Sequence, residues 1–537
     1  VKRIDKVVME LGSREESIRK ASELIEKESH VESMGATLVS LQNENEVLFD
    51  CTLTITAFNN TNEDQLAFRK SIRHRIISEG FKINNLSSQQ VNGFLASNIS
   101  QVRSLKRYER GINSSSLAAV FPFVETSIID EPNGIILGCN SHPVALDITK
   151  RDGSHTNSNV LILGKPGSGK TYAVKSIITQ LYADNWRIHV LDVENEFSTL
   201  SKNVGGMNID VGSATQGRIN PFHIYGLLTD DGKQASPENI FDAHLVFLES
   251  FFKIVLEGIS SDALEYINNL VVKCYEKRGI TKTTDCSKFT GAQFPTFDDL
   301  MKVLQEQPHE NINPLDLANL QRAETYIAKF ASGGRYASLW NGASTLTTSA
   351  QFTVFNFQSL LSNKNTVVAN AQMLLVMRFL EQEVINARDQ NRDGKNLIRT
   401  AIVAEEAHAF TDPKFPVALD FLYQMAKRIR KYAGALFFIT QNLRDGRSTA
   451  EIEAKTTAIF NCCQYSFIFS LPPQDINDLV ELYKSSGGIN EAEQQEIVTN
   501  PQGTAFLISS ASERTSFSIV TTTAVESLFI REDEKQL

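Results

Sequence analysis

Long apolar runs are missing from this chain. No stretch approaches the ~20 consecutive apolar residues that a membrane-crossing helix needs, and no secretion signal opens it, although it starts at Val1 rather than Met. Its six cysteines (Cys51, Cys139, Cys274, Cys286, Cys462, Cys463) include no CxxC pair, which argues against a disulfide framework or a zinc site and for a reducing compartment. The nine histidines are scattered without HExxH or similar ligand spacing, so no transition-metal site is expected. Basic charge is also short: 53 Lys and Arg against 63 Asp and Glu leave a net charge of −10. That excludes a uniformly basic nucleic-acid binder, while a local basic groove stays open. Internal repeats and long low-complexity tracts are absent as well, which removes repeat arrays from consideration.

What is present reads as a globular protein, 42% hydrophobic, 22% charged and 9% aromatic over 537 residues. That length is too great for one core, so two or three domains are expected. GSREESIRKASELIEKE (12–28) is charged with weak helical periodicity and reads as a solvated helix. VLFDCTLTITAFN (47–59) alternates and is β-branched, NEDQLAFRKSIRHRIISEG (62–80) reads as an amphipathic helix ending at Gly80, and FKINNL (81–86) reads as a second strand. These predict a small α+β domain over 1–122. Turn signals then crowd the stretch from about 105 to 158: ERGINSS, DEPNG and RDGSHTNSN.

From residue 160 the pattern becomes strand–helix alternation. VLILG, RIHVLDV (187–193), FTVFNF (352–357), RTAIVAEE (399–406), ALFFITQ (435–441) and YSFIFSL (465–471) are short apolar runs between helical segments. Such runs predict a mostly parallel sheet covered on both faces, an α/β domain over 123–537. The interval 228–340 holds amphipathic helices and no strand of comparable strength, and predicts an all-helical insertion.

GKPGSGKT (164–171) satisfies G-x-x-x-x-G-K-[ST] at every fixed position, after an apolar strand and before the helical TYAVKSIITQLYA. Gly164, Pro166, Gly167, Ser168 and Gly169 would let consecutive backbone N–H groups curl around phosphate oxygens, and the helix start adds positive potential. Lys170 would reach the β- and γ-phosphates of ATP, Thr171 would ligate Mg2+, and Tyr172 follows in the first turn. A glycine-rich surface turn is the plainer alternative.

Such a site needs a second strand whose acidic end meets the cation and the attacking water. RTAIVAEE is the apolar run of the α/β region that ends in paired carboxylates. Glu406 is the candidate for orienting or deprotonating water, and Glu405 for holding a metal-bound water. A bare helix start would also favour acids. Gln441, at the end of ALFFITQ, is placed to sense the γ-phosphate, or is a solvated strand terminus. AKRIRKYAG (426–434) carries Arg428, Arg430 and Lys431 at a helix end, where cations are favourable anyway. Arg430 is the preferred candidate for an arginine donated to a neighbouring subunit. LDVENEF (191–197) brings Asp192, Glu194 and Glu196 to a second strand end, either near the phosphates or at the surface. GRINPF (217–222) reads as a tight turn at the site edge.

Taken in order, AAVFPF (118–123), GIILGCN (134–140), NSNVLILGKPGSGKT (157–171), VLDVENEF (190–197), INPF (219–222), FNFQSL (355–360), VAEEAHAF (403–410), RIRKYAG (428–434), ITQN (439–442) and the closing QGTAFLI (502–508) form a familiar set. The chain resembles the conjugation and type IV secretion ATPases of the VirB/TraC/TrbE class, in the HerA–FtsK branch of P-loop motors. The resemblance implies a RecA-like P-loop core that assembles as a hexamer at the cytoplasmic face of the inner membrane. It implies ATP hydrolysis spent on moving DNA or protein through a secretion channel or on pilus assembly, with the N-terminal domain docking to other machine components. The family's site maps onto Lys170, Thr171, Glu406, Gln441 and Arg430. The family usually has Asp-Glu where this chain has Glu405-Glu406, a departure that bears on metal geometry and turnover. A DNA-translocating coupling-protein-like motor and a nucleotide-gated, non-hydrolysing scaffold are the alternative readings. The former commonly carries N-terminal membrane spans, which are not seen here.

Overall fold

The computed structural model describes residues 39, 41 and 46–530, apart from 57–60, 79, 98–104, 120–127, 214–216, 228–234, 288, 309–312, 347–349, 363–364, 394–396, 442 and 444–448. The helix expected over 12–28 lies outside the described residues, as does most of AAVFPF. The chain divides into two units, 1–124 and 125–537.

In the first unit, β1 (Leu48–Cys51) pairs antiparallel with β2 (Arg110–Asn113), with Leu48 opposite Asn113. Helices Asn62–Ser78 and Gln90–Ala96 lie between them in sequence, and Ser114–Ala119 follows. Glu46 accepts from the Ser115 N–H at 3.0 Å, and the Val47 N–H donates to Ser114 Oγ at 3.0 Å, which ties the two strands at one end. Two expectations are corrected here. FKINNL (81–86) contains no strand, and the second strand falls inside ERGINSS, which read as a turn. Pairing with β1, some sixty residues away, decides the matter, and strand propensity is a weak prior against such pairing.

The second unit is built on one sheet of eleven strands. In chain order these are β3 (Ile135–Cys139), β4 (Pro143–Leu146), β5 (Val160–Leu163), β6 (Arg187–Asp192), β7 (Met207–Asp210), β8 (Phe352–Asn356), β9 (Thr400–Ala404), β10 (Gly434–Thr440), β11 (Tyr465–Ile468), β12 (Thr504–Ile508) and β13 (Arg514–Ile519). In space the order is β4-β3-β13-β12-β11-β5-β10-β9-β6-β8-β7. The run from β11 to β7 is parallel, and the pairs from β11 out to β4 are antiparallel.

Strands β5, β9 and β10 are buried at every residue, which is why their sequences read as unbroken apolar runs. Their side chains still alternate between two cores, as the pleat requires. Leu161, Leu163, Ile402, Ala404, Leu436 and Phe438 pack on one face with the long helix Thr366–Asp393, the helix Pro416–Arg428 and the helical insertion. Val160, Ile162, Ala401, Val403, Phe437 and Ile439 pack on the other with Ala173, Val174, Ile177, Ile178 and Leu181 of the helix Lys170–Ala183.

Between β7 and β8 the described residues form helices and no strand. The main ones are Pro237–Val255, Ser261–Lys277, Phe297–Gln305 and Pro314–Ile327. Each begins at a side-chain cap: Ser236, Ser260, Thr296 and Asn313 accept from backbone N–H groups of the first turn. INPF anchors this insertion. Asn220 is buried, donates to Pro295 O at 2.7 Å and accepts from the Phe222 N–H at 3.1 Å. Phe222 packs edge-on against Phe252, Tyr275 and Phe297. The motif thus fastens helices to the sheet. Among the described residues no helix is long and apolar enough to cross a membrane.

Candidate functional site

Parallel strands deliver whatever follows them to one edge. Leu163 lies opposite Thr440, Phe438 opposite Ala404, and Ala404 opposite Leu191. The segments after β5, β10, β9 and β6 therefore emerge together, with β10 between the glycine-rich loop's strand and the acidic one.

After Leu163 the chain turns through Gly167 (φ 72°) and Gly169 (φ 104°), left-handed values that suit glycine. A Cβ at Gly164 would sit 2.6 Å from Phe469 Cβ, and one at Gly169 would sit 3.1 Å from the Gly503 backbone. The loop is braced by neighbours: the Lys165 N–H donates to Ser470 O at 3.0 Å, and the Gly503 N–H donates to Ser168 O at 2.9 Å. Lys170 begins the following helix, and its Nζ donates to Gly164 O at 2.7 Å and Lys165 O at 3.3 Å. Burial lowers its pKa, opposed by Glu406, Glu405, Glu196 and Glu194.

Thr171 Oγ1 donates to Glu405 Oε1 at 3.1 Å, joining the loop's helix to the end of β9. Glu405 is 2% exposed, and burial first, then Asp192 and Glu196, push its carboxyl up to about 9. Glu406 adopts φ 45°, a left-handed conformation that costs a non-glycine residue strain and turns the chain into the 3-10 turn Ala407–Phe410. Gln441 Nε2 donates to Glu406 Oε1 at 2.9 Å, and His408 Nδ1 lies 3.0 Å from Glu406 Oε2. Burial alone would raise the Glu406 carboxyl, but His408, Gln441 and Lys170 hold it below its ordinary value. Two neighbouring acids thus have opposite tendencies, one pushed toward its neutral form and one toward its charged form, which suits division of labour in a site.

Asp192 is fully buried at the end of β6 and accepts from the Phe197 N–H at 2.9 Å and the Glu196 N–H at 3.1 Å. It fixes the loop that carries Glu194 and Glu196, whose charges act on Lys170. The acids of VENEF are accordingly beside the loop.

Lys170, Thr171, Glu405, Glu406 and Gln441 come together. Arg430 does not join them. It is exposed in the 3-10 turn Ile429–Tyr432, just before Gly434, which starts β10 opposite the start of β9. Seven residues of β10 at ~3.3 Å each put it about 20 Å from its own glycine-rich loop. Tyr172 contacts the C-terminal segment: its hydroxyl lies 3.4 Å from Glu526 Oε1 and its ring meets Phe529 edge to face at 5.6 Å. The sequence reading passed over His408, Phe469 and Gly503. His408 alone left a local signal, two positions after Glu406.

The residues fit a phosphate chain with a divalent cation. Ser168 Oγ and Glu405 Oε2 are buried oxygens with no hydrogen-bond partner among the described residues, and such groups are costly unless something satisfies them. Glycines free the loop's amides for anion contact, and Thr171 and Glu405 are oxygen donors of the kind that hold Mg2+ directly or through water.

Comparison with known proteins gives a consistent result. The TraG P-loop domain matches residues 135–470, more than half of the chain. The solved structure of VirB4 of Thermoanaerobacter pseudethanolicus aligns with a TM-score of 0.60 and 27% identity over 75% of this chain and 100% of that one. An uncharacterised protein of Bacillus anthracis is 22% identical over 431 residues, 74% of this chain and 66% of that protein. Protein TraC of Escherichia coli K12 is 22% identical over 445 residues, 80% of this chain and 46% of its own length. The chain therefore spans less than two thirds of the length of either curated relative.

Proposed function

This chain belongs to the TraG P-loop domain family, and from that premise we propose that it is an ATP-hydrolysing motor energising a type IV secretion or conjugation machine. The observation that carries the reading is the pair of bonds Thr171–Glu405 and Gln441–Glu406. They draw the glycine-rich loop and two parallel strand ends into one site, as hydrolysis of a bound triphosphate requires.

In this reading the amides of Gly167–Thr171 and the Lys170 ammonium hold the phosphates, with Lys170 exchanging the carbonyls it now contacts for phosphate oxygens. Thr171 and, through water, Glu405 would hold Mg2+, which when bound neutralises phosphate charge. Glu406, kept ionised by His408 and Gln441, orients a water molecule and accepts its proton as the water oxygen bonds to the γ-phosphorus and the β–γ bridging bond breaks. Gln441, bonded to Glu406, couples that carboxylate to the strand end of β10.

Arg430 lies too far from its own loop to act there. A neighbouring copy would supply it, so a ring of copies, a homo-hexamer, completes each site. The likeness to VirB4 and TraC supports work at the cytoplasmic face of the inner membrane with other components of the machine. Whether DNA is among the molecules touched is left to a salt-dependent binding assay. The test of the motor reading is ATP turnover against protein concentration. Specific activity should rise with concentration as copies assemble; absence of turnover at every concentration, with ATP still bound, would replace the motor with a nucleotide-gated scaffold.

A further inference from the structure

The nucleotide reading accounts for the phosphates but leaves the base without a place, and the C-terminal segment without a role. Helix geometry narrows the search. Thr171 faces Glu405, where the γ-phosphate end must lie. Tyr172 sits about 100° further around the helix axis, away from the β9 acids. A nucleotide is linear, so its base projects away from the γ end, past the first turn of Lys170–Ala183.

At that position the chain's last described residues cross over. Strand β13 ends at Ile519, whose N–H donates to Gly503 O at 2.8 Å, and Gly503 in turn bonds the glycine-rich loop. The chain then runs over the helix Lys170–Ala183. Thr522 caps the short helix Thr523–Glu526, and Asn203 Nδ2 donates to Leu528 O at 2.9 Å, tying the segment to the helix Ser198–Asn203 on the far side. Tyr172 and Phe529 are both half-buried, 5.6 Å apart and at 90°. An edge-to-face pair leaves at least one face of each ring uncovered by the other.

We propose that Tyr172 and Phe529 form the nucleobase slot of this site, with the C-terminal strap as one wall. The ligand class is an aromatic base carried on a triphosphate. Recognition is by stacking, which tolerates different bases because every base has a π face. This rests on the nucleotide reading above and adds to it that the strap is part of the binding site.

The experiment compares the affinity of ATP with that of inorganic tripolyphosphate, both with Mg2+, for wild type, Tyr172→Ala, Phe529→Ala and Tyr172→Phe by calorimetry. Tripolyphosphate occupies the loop without presenting a base. Loss of one stacking wall is expected to weaken ATP ~10-fold, to leave tripolyphosphate unchanged and to spare Tyr172→Phe, which keeps its ring. ATP affinity within two-fold of wild type in both alanine variants overturns the slot, and so does equal weakening of both ligands. Tyr172→Ala carries the test by itself if Phe529→Ala does not fold. A wild type that binds ATP no tighter than tripolyphosphate refutes the slot alone, whereas one that binds neither refutes the nucleotide reading itself.

Discussion

Asn159 is buried just before β5, in the sheet that positions the site. Its Nδ2 donates to Ala426 O at 2.8 Å and Cys462 O at 3.1 Å, and its Oδ1 accepts from the Leu436 N–H at 3.0 Å. One side chain thus joins the strand that precedes the glycine-rich loop to the strand that leads to Gln441. Asn159→Asp keeps the shape and the acceptor; ionised it has no donor, and protonated it has one O–H in place of two N–H donors. With the carboxyl ionised both buried carbonyls lose this donor at about 1–3 kcal/mol each, so the loss is about 2–6 kcal/mol, set against a total stability of about 5–15 kcal/mol. The new carboxyl faces carbonyl oxygens and is easier to bury neutral than charged. Its folded pKa then lies above its unfolded one, so the variant loses stability as pH rises from about 4 upward. Asn159→Ala strips the Leu436 N–H of its partner as well, and should be the worse variant at pH 5. Urea unfolding followed by circular dichroism at pH 5 and pH 8 checks both points. An Asn159→Asp protein within about 1 kcal/mol of wild type at pH 8, or equally destabilised at both pH values, would show that the Asn159 amide does not join the strands in this way.

Mixing Lys170→Ala with Arg430→Ala, each inactive alone, should restore about a quarter of wild-type ATP turnover, the share of randomly formed interfaces that pair an intact lysine with an intact arginine; no recovery in a mixture shown to co-assemble would remove Arg430 from the site. His408→Ala and Gln441→Ala each take away a contact that holds the Glu406 carboxyl low, so the acid limb of the pH–rate profile should move to higher pH, and an unmoved limb would show that Glu406 is not the titrating base. Glu383, 1% exposed beside His189, has its carboxyl pushed up to about 7 by burial. The folded protein therefore holds a proton that the unfolded chain has lost between about pH 4.3 and 7, and the group's contribution declines as pH rises through that window. Glu383→Gln should abolish that decline in thermal melts, and an unchanged pH dependence would contradict it.

The glycine-rich loop was legible because its chemistry is local: every residue of GKPGSGKT acts within one turn of chain. Strands β5, β9 and β10 were legible because burial on both faces leaves unbroken apolar runs. The order of those strands was not, since placing β10 beside β5 depends on pairings between residues hundreds of positions apart. The same limit hid β2, which pairs with β1 from within a stretch rich in turn residues, and β3, β4 and β13 in the antiparallel half of the sheet. Glu405 and Glu406 were found together, but their opposite tendencies come from burial and Asp192 acting on the first and from His408 and Gln441 acting on the second, residues on three different segments. The strap over Tyr172 left no trace at all, because TTTAVESLF is unremarkable until it is seen lying against the helix Lys170–Ala183.

In the proposed mechanism one chain's loop holds the triphosphate while Glu406 drives its hydrolysis. Measuring ATP binding and ATP turnover side by side in wild type, Lys170→Ala and Glu406→Gln tests it most directly. Wild type should bind and hydrolyse ATP, Lys170→Ala should do neither, and Glu406→Gln should bind ATP without turning it over. Turnover in Glu406→Gln at the wild-type rate would contradict it.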